Sequence, residues 1–124
     1  MPVSYSFDSH IVVVRGDGDY ATDELKATTL AALADAACPA RPVLMFDLRT
    51  SHALTERTAP QVEDMGLFLA DLSARYNGRM AMVVSSLVGY GLMRMGTPYA
   101  ETKGGTVEVF KDYDEARRWL LQAI

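Results

Sequence analysis

A single cysteine, Cys38, is all the chain contains, so neither an intrachain disulfide nor a cysteine-rich metal site can be built. Histidine is nearly as scarce. His10 and His52 stand far apart without ligand spacing, which excludes a conventional zinc centre and leaves no metal to expect. No apolar run approaches the roughly 20 residues that cross a bilayer. The N-terminus, MPVSYSFDSHIVVVRG, lacks the charged and apolar regions of a secretory signal, and the expected location is a reducing cytoplasm. There is no basic tract, and the formal net charge is −4; nucleic acid and anionic membrane are therefore poor partners. No Pro-, Gly- or Ser-rich linker divides the sequence, and no internal repeat recurs.

What is present is an ordinary globular composition. The 124 residues are 49% hydrophobic and 23% charged, enough for one domain over residues 1–124 with a core of its own. Acidic charge gathers early: Arg15 and Lys26 face Asp8, Asp17, Asp19, Asp23, Glu24 and Asp35.

Periodicity gives the order of elements. Val3, Tyr5 and Phe7 alternate with serines as a half-buried strand, Asp8-Ser9 turns the chain, and residues 10–15 form a β-branched central strand. The two pair as an antiparallel hairpin. Thr22 is read as the N-cap of a helix with Asp23 and Glu24 in its first turn. Leu25, Thr29, Ala32, Leu33 and Ala36 give that helix one light face, and Cys38-Pro39 closes it. Residues 43–48 are a buried strand. A second helix starts near Thr58 with Pro60 in its first turn. Its inner face is Val62, Met65, Leu69, Leu72 and Tyr76, with Phe68 beside them, and Asn77-Gly78 ends it. Residues 79–86 are another strand, 87–95 a short apolar helix, 106–110 a last strand. Asp112 opens a closing helix over 113–123, with Ala116, Trp119, Leu120 and Ala123 facing inward. The order β-β-α-β-α-β-α-β-α predicts an α/β domain: a mostly parallel five-stranded sheet with an N-terminal hairpin and four covering helices.

This order, together with GDGDYATDEL (16–25), FDLR (46–49), VVSSLVGYGLMRM (83–95) and VFKDYDEARRWL (109–120), resembles the SpoIIAA-like proteins. These are relatives of the STAS domain, also described as Sec14-like in lipid binding. The resemblance covers essentially the whole chain. It implies a small α/β domain without a catalytic constellation, whose role is to bind another protein or an apolar ligand. One element departs. Anti-sigma-factor antagonists carry a phosphorylatable Asp-Ser-x-Gly after the strand ending in Asp-Leu. Here the stretch reads DLRTSHALTERT, with Thr50, Ser51 and Thr55 as the hydroxyls before the helix cap.

Candidate chemistry is sparse. Asp47, Ser51 and His52 supply the residue types of a hydrolase triad, but neighbours in one loop place base and nucleophile badly, and no G-x-S-x-G elbow exists. Gly89, Gly91 and Gly96 match neither G-x-G-x-x-G nor a P-loop; their expected use is close packing of a short helix on the sheet. No enzyme activity and no cofactor are expected. Ser85 and Ser86 open a helix whose free N–H groups could attract a single anion. Met80 and Met82 read as core. Met93 and Met95 lie with Tyr90 and Leu92 on a helix whose one charge is Arg94.

Methionine suits surfaces that accept several shapes. The expected binding face is therefore Tyr90, Leu92, Met93, Arg94, Met95 and Tyr99, joined by Met65 and Phe68 from the preceding helix. Two functions fit: a non-enzymatic module holding an apolar or lipid-like molecule between the sheet and the helices after Thr58 and Ser86, or a STAS-type interaction module in which a protein partner, or a second copy in a homodimer, covers the same helix.

Overall fold

A computed structural model describes residues 2–52, 57–72, 75–76, 78–102 and 104–122. The strands are β1 (Val3–Asp8), β2 (Ile11–Gly16), β3 (Val43–Asp47), β4 (Arg79–Val83) and β5 (Thr106–Phe110). They lie in the order β1-β2-β3-β4-β5, with β1 antiparallel to β2 and every other pair parallel. The helices are α1 (Thr22–Ala34), α2 (Ala59–Asp71), α3 (Leu87–Ala100) and α4 (Tyr113–Leu121). This is the element order expected from the sequence.

The two faces of the sheet are covered unequally. Val12, Val14, Leu44, Phe46, Met80, Val107 and Val109 form one apolar layer under α1, α2 and α3. Ile11, Val13, Val43, Met45, Ala81 and Val83 form the other, under Ala116 and Leu120 of α4. Strands with both faces covered read as continuous apolar runs, which is why β2, β3 and β4 lack alternation while the edge strands show it.

Several boundaries move, each for a local reason. The first turn is Ser9-His10, with Ser9 in the left-handed region at φ 56°. Ala21, rather than Thr22, occupies the cap of α1, and its N–H donates to the Glu24 carboxylate. Alanine offers no side-chain acceptor, so only that half of a capping box exists. The same helix stops at Ala34, short of Cys38-Pro39, because the Asp35 carboxylate accepts from Ala37 N–H and the Tyr5 hydroxyl and folds the chain away. Ala36 is consequently exposed, and Cys38 is half-buried against the core beyond the helix end. Thr58 caps α2 and exchanges bonds with Gln61, but α2 ends at Asp71, and Leu72 and Tyr76 reach the core from the segment after it. Asn77, Thr55 and Ala123 lie outside the described residues.

The largest difference is α3, which runs to Ala100 rather than Met95. Pro98 removes one N–H from the helix ladder. The Arg94 carbonyl left without that donor accepts the Thr97 hydroxyl at 2.9 Å, and the helix continues. Of the glycines expected to pack α3 on the sheet, Gly96 meets α2 instead, and Gly91 has nothing within 4 Å of a Cβ built on it. A Cβ on Gly66 would lie 2.8 Å from the Gly96 carbonyl oxygen and 2.8 Å from Tyr99 Cβ, and one on Gly96 would lie 2.9 Å from Val62 Cγ1. With Ala70 and Ala100 one turn further along, the two helices pack almost backbone to backbone. Trp119 packs against the core from α4, as its inward position predicted, tilted against Phe110 and carrying the Arg79 guanidinium 4.7 Å above its ring.

Candidate functional site: an apolar cleft beneath three helices

Close approach of α2 and α3 does not seal the space below them. A cleft opens between the start of α1, the inner side of α2, the flank of α3 and the sheet. Its walls are Leu25 from α1, Val62, Met65 and Leu69 from α2, Phe46 and Leu48 at the end of β3, Met82 from β4 and Met93 from α3. It continues under α3 to Gly66, Gly96 and Ala100. The atom-free space in the main part is about 440 Å³ including its open side, while the cavity proper is about 40 Å³, room for no more than a few water molecules. The methionine side chains fill what would otherwise be a larger void. Met82 packs against the core and is partly exposed as cleft wall, whereas Met80 is fully buried as expected.

Polar groups sit only at the rim. Tyr20, Thr22, Arg57 and Gln61 border the opening. Arg57 lies 5.2 Å over the Tyr20 ring and donates to the Tyr20 carbonyl at 2.7 Å. Ser51 Oγ donates to the Tyr20 hydroxyl at 2.9 Å. Burial pushes the Tyr20 phenol above its ordinary pKa, against the opposing pull of Ser51 and Arg57. The loop after β3 is held to the turn after β2, where Gly18 N–H donates to the Thr50 carbonyl and His52 N–H to the Gly18 carbonyl. The Thr50 hydroxyl donates to Asp17. These contacts place the rim.

The structure divides the residues that the sequence grouped. Met65 and Met93 line the cleft. Phe68 packs against the core beneath Lys26, 5.5 Å from its ring. Tyr90 and Arg94 border a separate groove with Thr97, Glu101 and Glu108, between α3 and β5. There Arg94 and Lys111 both approach the Tyr90 ring, at 5.8 and 5.2 Å. Leu92 is half-buried, Met95 is exposed on the outer side of α3 with Leu87 and Val88, and Tyr99 starts from the α2 seam, its Cβ against Gly66, with its ring partly exposed. Ser86 Oγ caps α3 by accepting from Gly89 N–H, and Ser85 Oγ donates to the Arg49 carbonyl. The cation at the cleft is therefore Arg57, which follows a loop and has no periodicity to signal its position. Tyr20 and Leu25 were not grouped with the cleft for another reason: Leu25 reads as inner face of α1, but only the crossovers bring α1 and the turn before it beside α2 and α3.

A second cavity, of about 310 Å³, lies on the opposite face between Ser4, Ser6, Arg15, Asp47, Arg49 and Tyr113. Its charges are already matched. Asp47 is buried and accepts two bonds from the Arg49 guanidinium, at 2.8 and 2.9 Å, and Arg15 pairs with Asp17. Among the described residues, no cluster of three metal-ligating side chains occurs and no helix is long and apolar enough to cross a membrane.

A mixed five-stranded sheet with three helices on one face and one on the other is a SpoIIAA-like fold. A solved structure that matches is an uncharacterized protein of the DUF3478 family from Shewanella loihica PV-4, described as having that fold. The TM-score is 0.60 at 16% identity, covering 95% of this chain and 91% of that one. At this identity the likeness establishes the fold, as the sequence resemblance predicted. No family model and no curated protein matches the chain.

Proposed function

We propose that this protein is a non-enzymatic binding module that takes an apolar molecule with one polar end into the cleft beneath α2 and α3. The observation that carries the reading is the convergence of Met65, Met82 and Met93, from three separate elements, on one opening. Each methionine turns about three side-chain bonds and tolerates many partners. Swinging them aside would exchange their present packing for contacts with a guest, so the small cavity is the closed state of an adaptable one. A buried methylene contributes about 0.8 kcal/mol, so a chain of six would gain roughly 5 kcal/mol before ordering costs. The Arg57 guanidinium at the rim suits an acidic head group. The hydroxyl and carboxylate nearest a hydrolase pattern are engaged elsewhere: Ser51 is directed at Tyr20, and Asp47 at Arg49.

The test is a titration with decanoic acid, followed by the methionine methyl resonances. Met65, Met82 and Met93 should shift saturably, and the exposed Met95 should not. Met93→Gln should abolish the shifts without unfolding the protein. Absence of any saturable shift, together with no co-purifying small molecule on extraction, would refute the reading.

The outer side of α3 favours a second reading, a STAS-type interaction module. Leu87, Val88 and Met95 are 74%, 63% and 54% exposed, and apolar groups clustered in this way commonly meet a partner. Loss of partner capture by Met95→Asp, with the decanoate shifts absent in the parent, would select this reading over the first.

A further inference from the structure

The α2 helix meets its two neighbours through different chemistry. Towards α3 the contact is backbone: a Cβ on Gly66 would stand 2.8 Å from the Gly96 carbonyl oxygen. Main-chain atoms cannot rotate aside, and interiors packed this closely resist deformation. Towards α1 the contact runs through a long side chain. Lys26 Nζ donates to the Asp64 carboxylate at 2.5 Å and stands 5.5 Å over the Phe68 ring. Lysine carries its charge on a flexible stem, so this junction can let go without disturbing either helix. The pair also sits on the cleft. Leu25 and Met65, its neighbours in sequence, both line the space, as do Thr22 and Gln61 one turn earlier. With Tyr20 and Arg57, these last two place the polar mouth between the starts of α1 and α2. Lys26 and Asp64 close the next turn of the same seam.

We propose that α1 is the movable wall of the cleft and that the Lys26–Asp64 pair is the latch released when a guest enters. The inference rests on the reading of the cleft as a binding site. α1 gives up little by moving, since its buried side chains are Leu25, Thr29 and Ala32, a face with little apolar bulk. The Thr29 hydroxyl donates to the Leu25 carbonyl of the same helix, so that bond travels with it. Both ends are tied down: the Tyr5 hydroxyl donates to Asp35, and Ser51 Oγ donates to the Tyr20 hydroxyl. α1 can therefore roll away from α2 without leaving the sheet. A guest that binds only the unlatched form has its apparent affinity lowered in proportion to that form's population. Asp64 is 66% exposed, and ion pairs in water shift such a balance by roughly two- to fivefold. The latch sets a threshold for entry; it does not seal the cleft.

Asp64→Asn and Lys26→Met each remove the pair, yet they change the charge beside the cleft in opposite directions. Both should tighten decanoate binding by roughly two- to fivefold. Simple attraction or repulsion of the carboxylate would move the two variants oppositely, and that result would overturn the proposal. Spin-label distances measured without decanoate test the motion itself, in a Cys38→Ala background. Labels at Ala27→Cys and Leu67→Cys span α1 and α2; labels at Leu67→Cys and Met95→Cys span α2 and α3. Asp64→Asn should lengthen and broaden the first distance and leave the second unchanged. An unchanged first distance, or a lengthened second one, would overturn the proposal. A lengthened first distance in a protein that binds no decanoate would uphold the movable wall and refute instead the reading of the cleft as a binding site.

Discussion

Replacing Gly66 by alanine tests whether backbone contact between α2 and α3 holds the roof of the cleft in place. In an unobstructed helix interior, Gly→Ala stabilises by about 0.8–1 kcal/mol, because glycine loses more backbone freedom on folding. At Gly66 the new methyl would stand 2.8 Å from the Gly96 carbonyl oxygen and 2.8 Å from Tyr99 Cβ, with Ala100 N at 3.3 Å. Two of these are backbone atoms of a neighbouring helix and cannot rotate away. Overpacking of this kind costs typically about 1–3 kcal/mol, so a net loss of roughly 1 kcal/mol is expected after the propensity gain is subtracted. Gly91 provides the control within the same structure. It sits in α3 with nothing within 4 Å of its would-be Cβ, so Gly91→Ala should gain about 1 kcal/mol. Urea unfolding followed by circular dichroism would separate the two by about 2 kcal/mol; a difference of that size corresponds to roughly 8 °C in melting temperature for a domain of this length. Equal stabilisation by both substitutions would refute the close approach of α2 and α3.

Further outcomes follow from single contacts. Asp112 Oδ1 accepts from the N–H groups of Asp114 and Glu115, and Asp112→Ala should cost about 1 kcal/mol; an unchanged urea midpoint would contradict this. The Tyr76 hydroxyl is buried without a partner among the described residues, so Tyr76→Phe should stabilise by about 1 kcal/mol, and a loss measured instead would mean that the hydroxyl is satisfied. Arg117 holds the Asp8 carboxyl below its usual range. A depressed folded-state pKa contributes stability above the unfolded value, near 3.9, and loses it as pH falls through the folded one. Asp8→Asn should therefore flatten the acid limb of the stability–pH curve below about pH 4 and leave its slope at neutral pH unchanged.

The composition and periodicity of this chain determined its elements and their layering. β2, β3 and β4 announce themselves as continuous apolar runs because both faces of those strands are covered, and the edge strands alternate because theirs are not. The tertiary structure decided the ends of helices and the make-up of the cleft. α1 stops where Asp35 finds Tyr5 from a strand 30 positions away, a contact that no local pattern contains. α3 outlasts Met95 because Thr97 satisfies the carbonyl orphaned by Pro98, against the local preference for a break. Met65 and Met93 could be singled out from helical spacing, but Arg57, Tyr20 and Met82 reach the cleft only once crossovers bring separate segments together. Helical spacing also grouped Arg94 and Tyr90 with Met93, although they face a different groove. Local rules fix which face of an element is apolar; the packing of its neighbours fixes what that face meets.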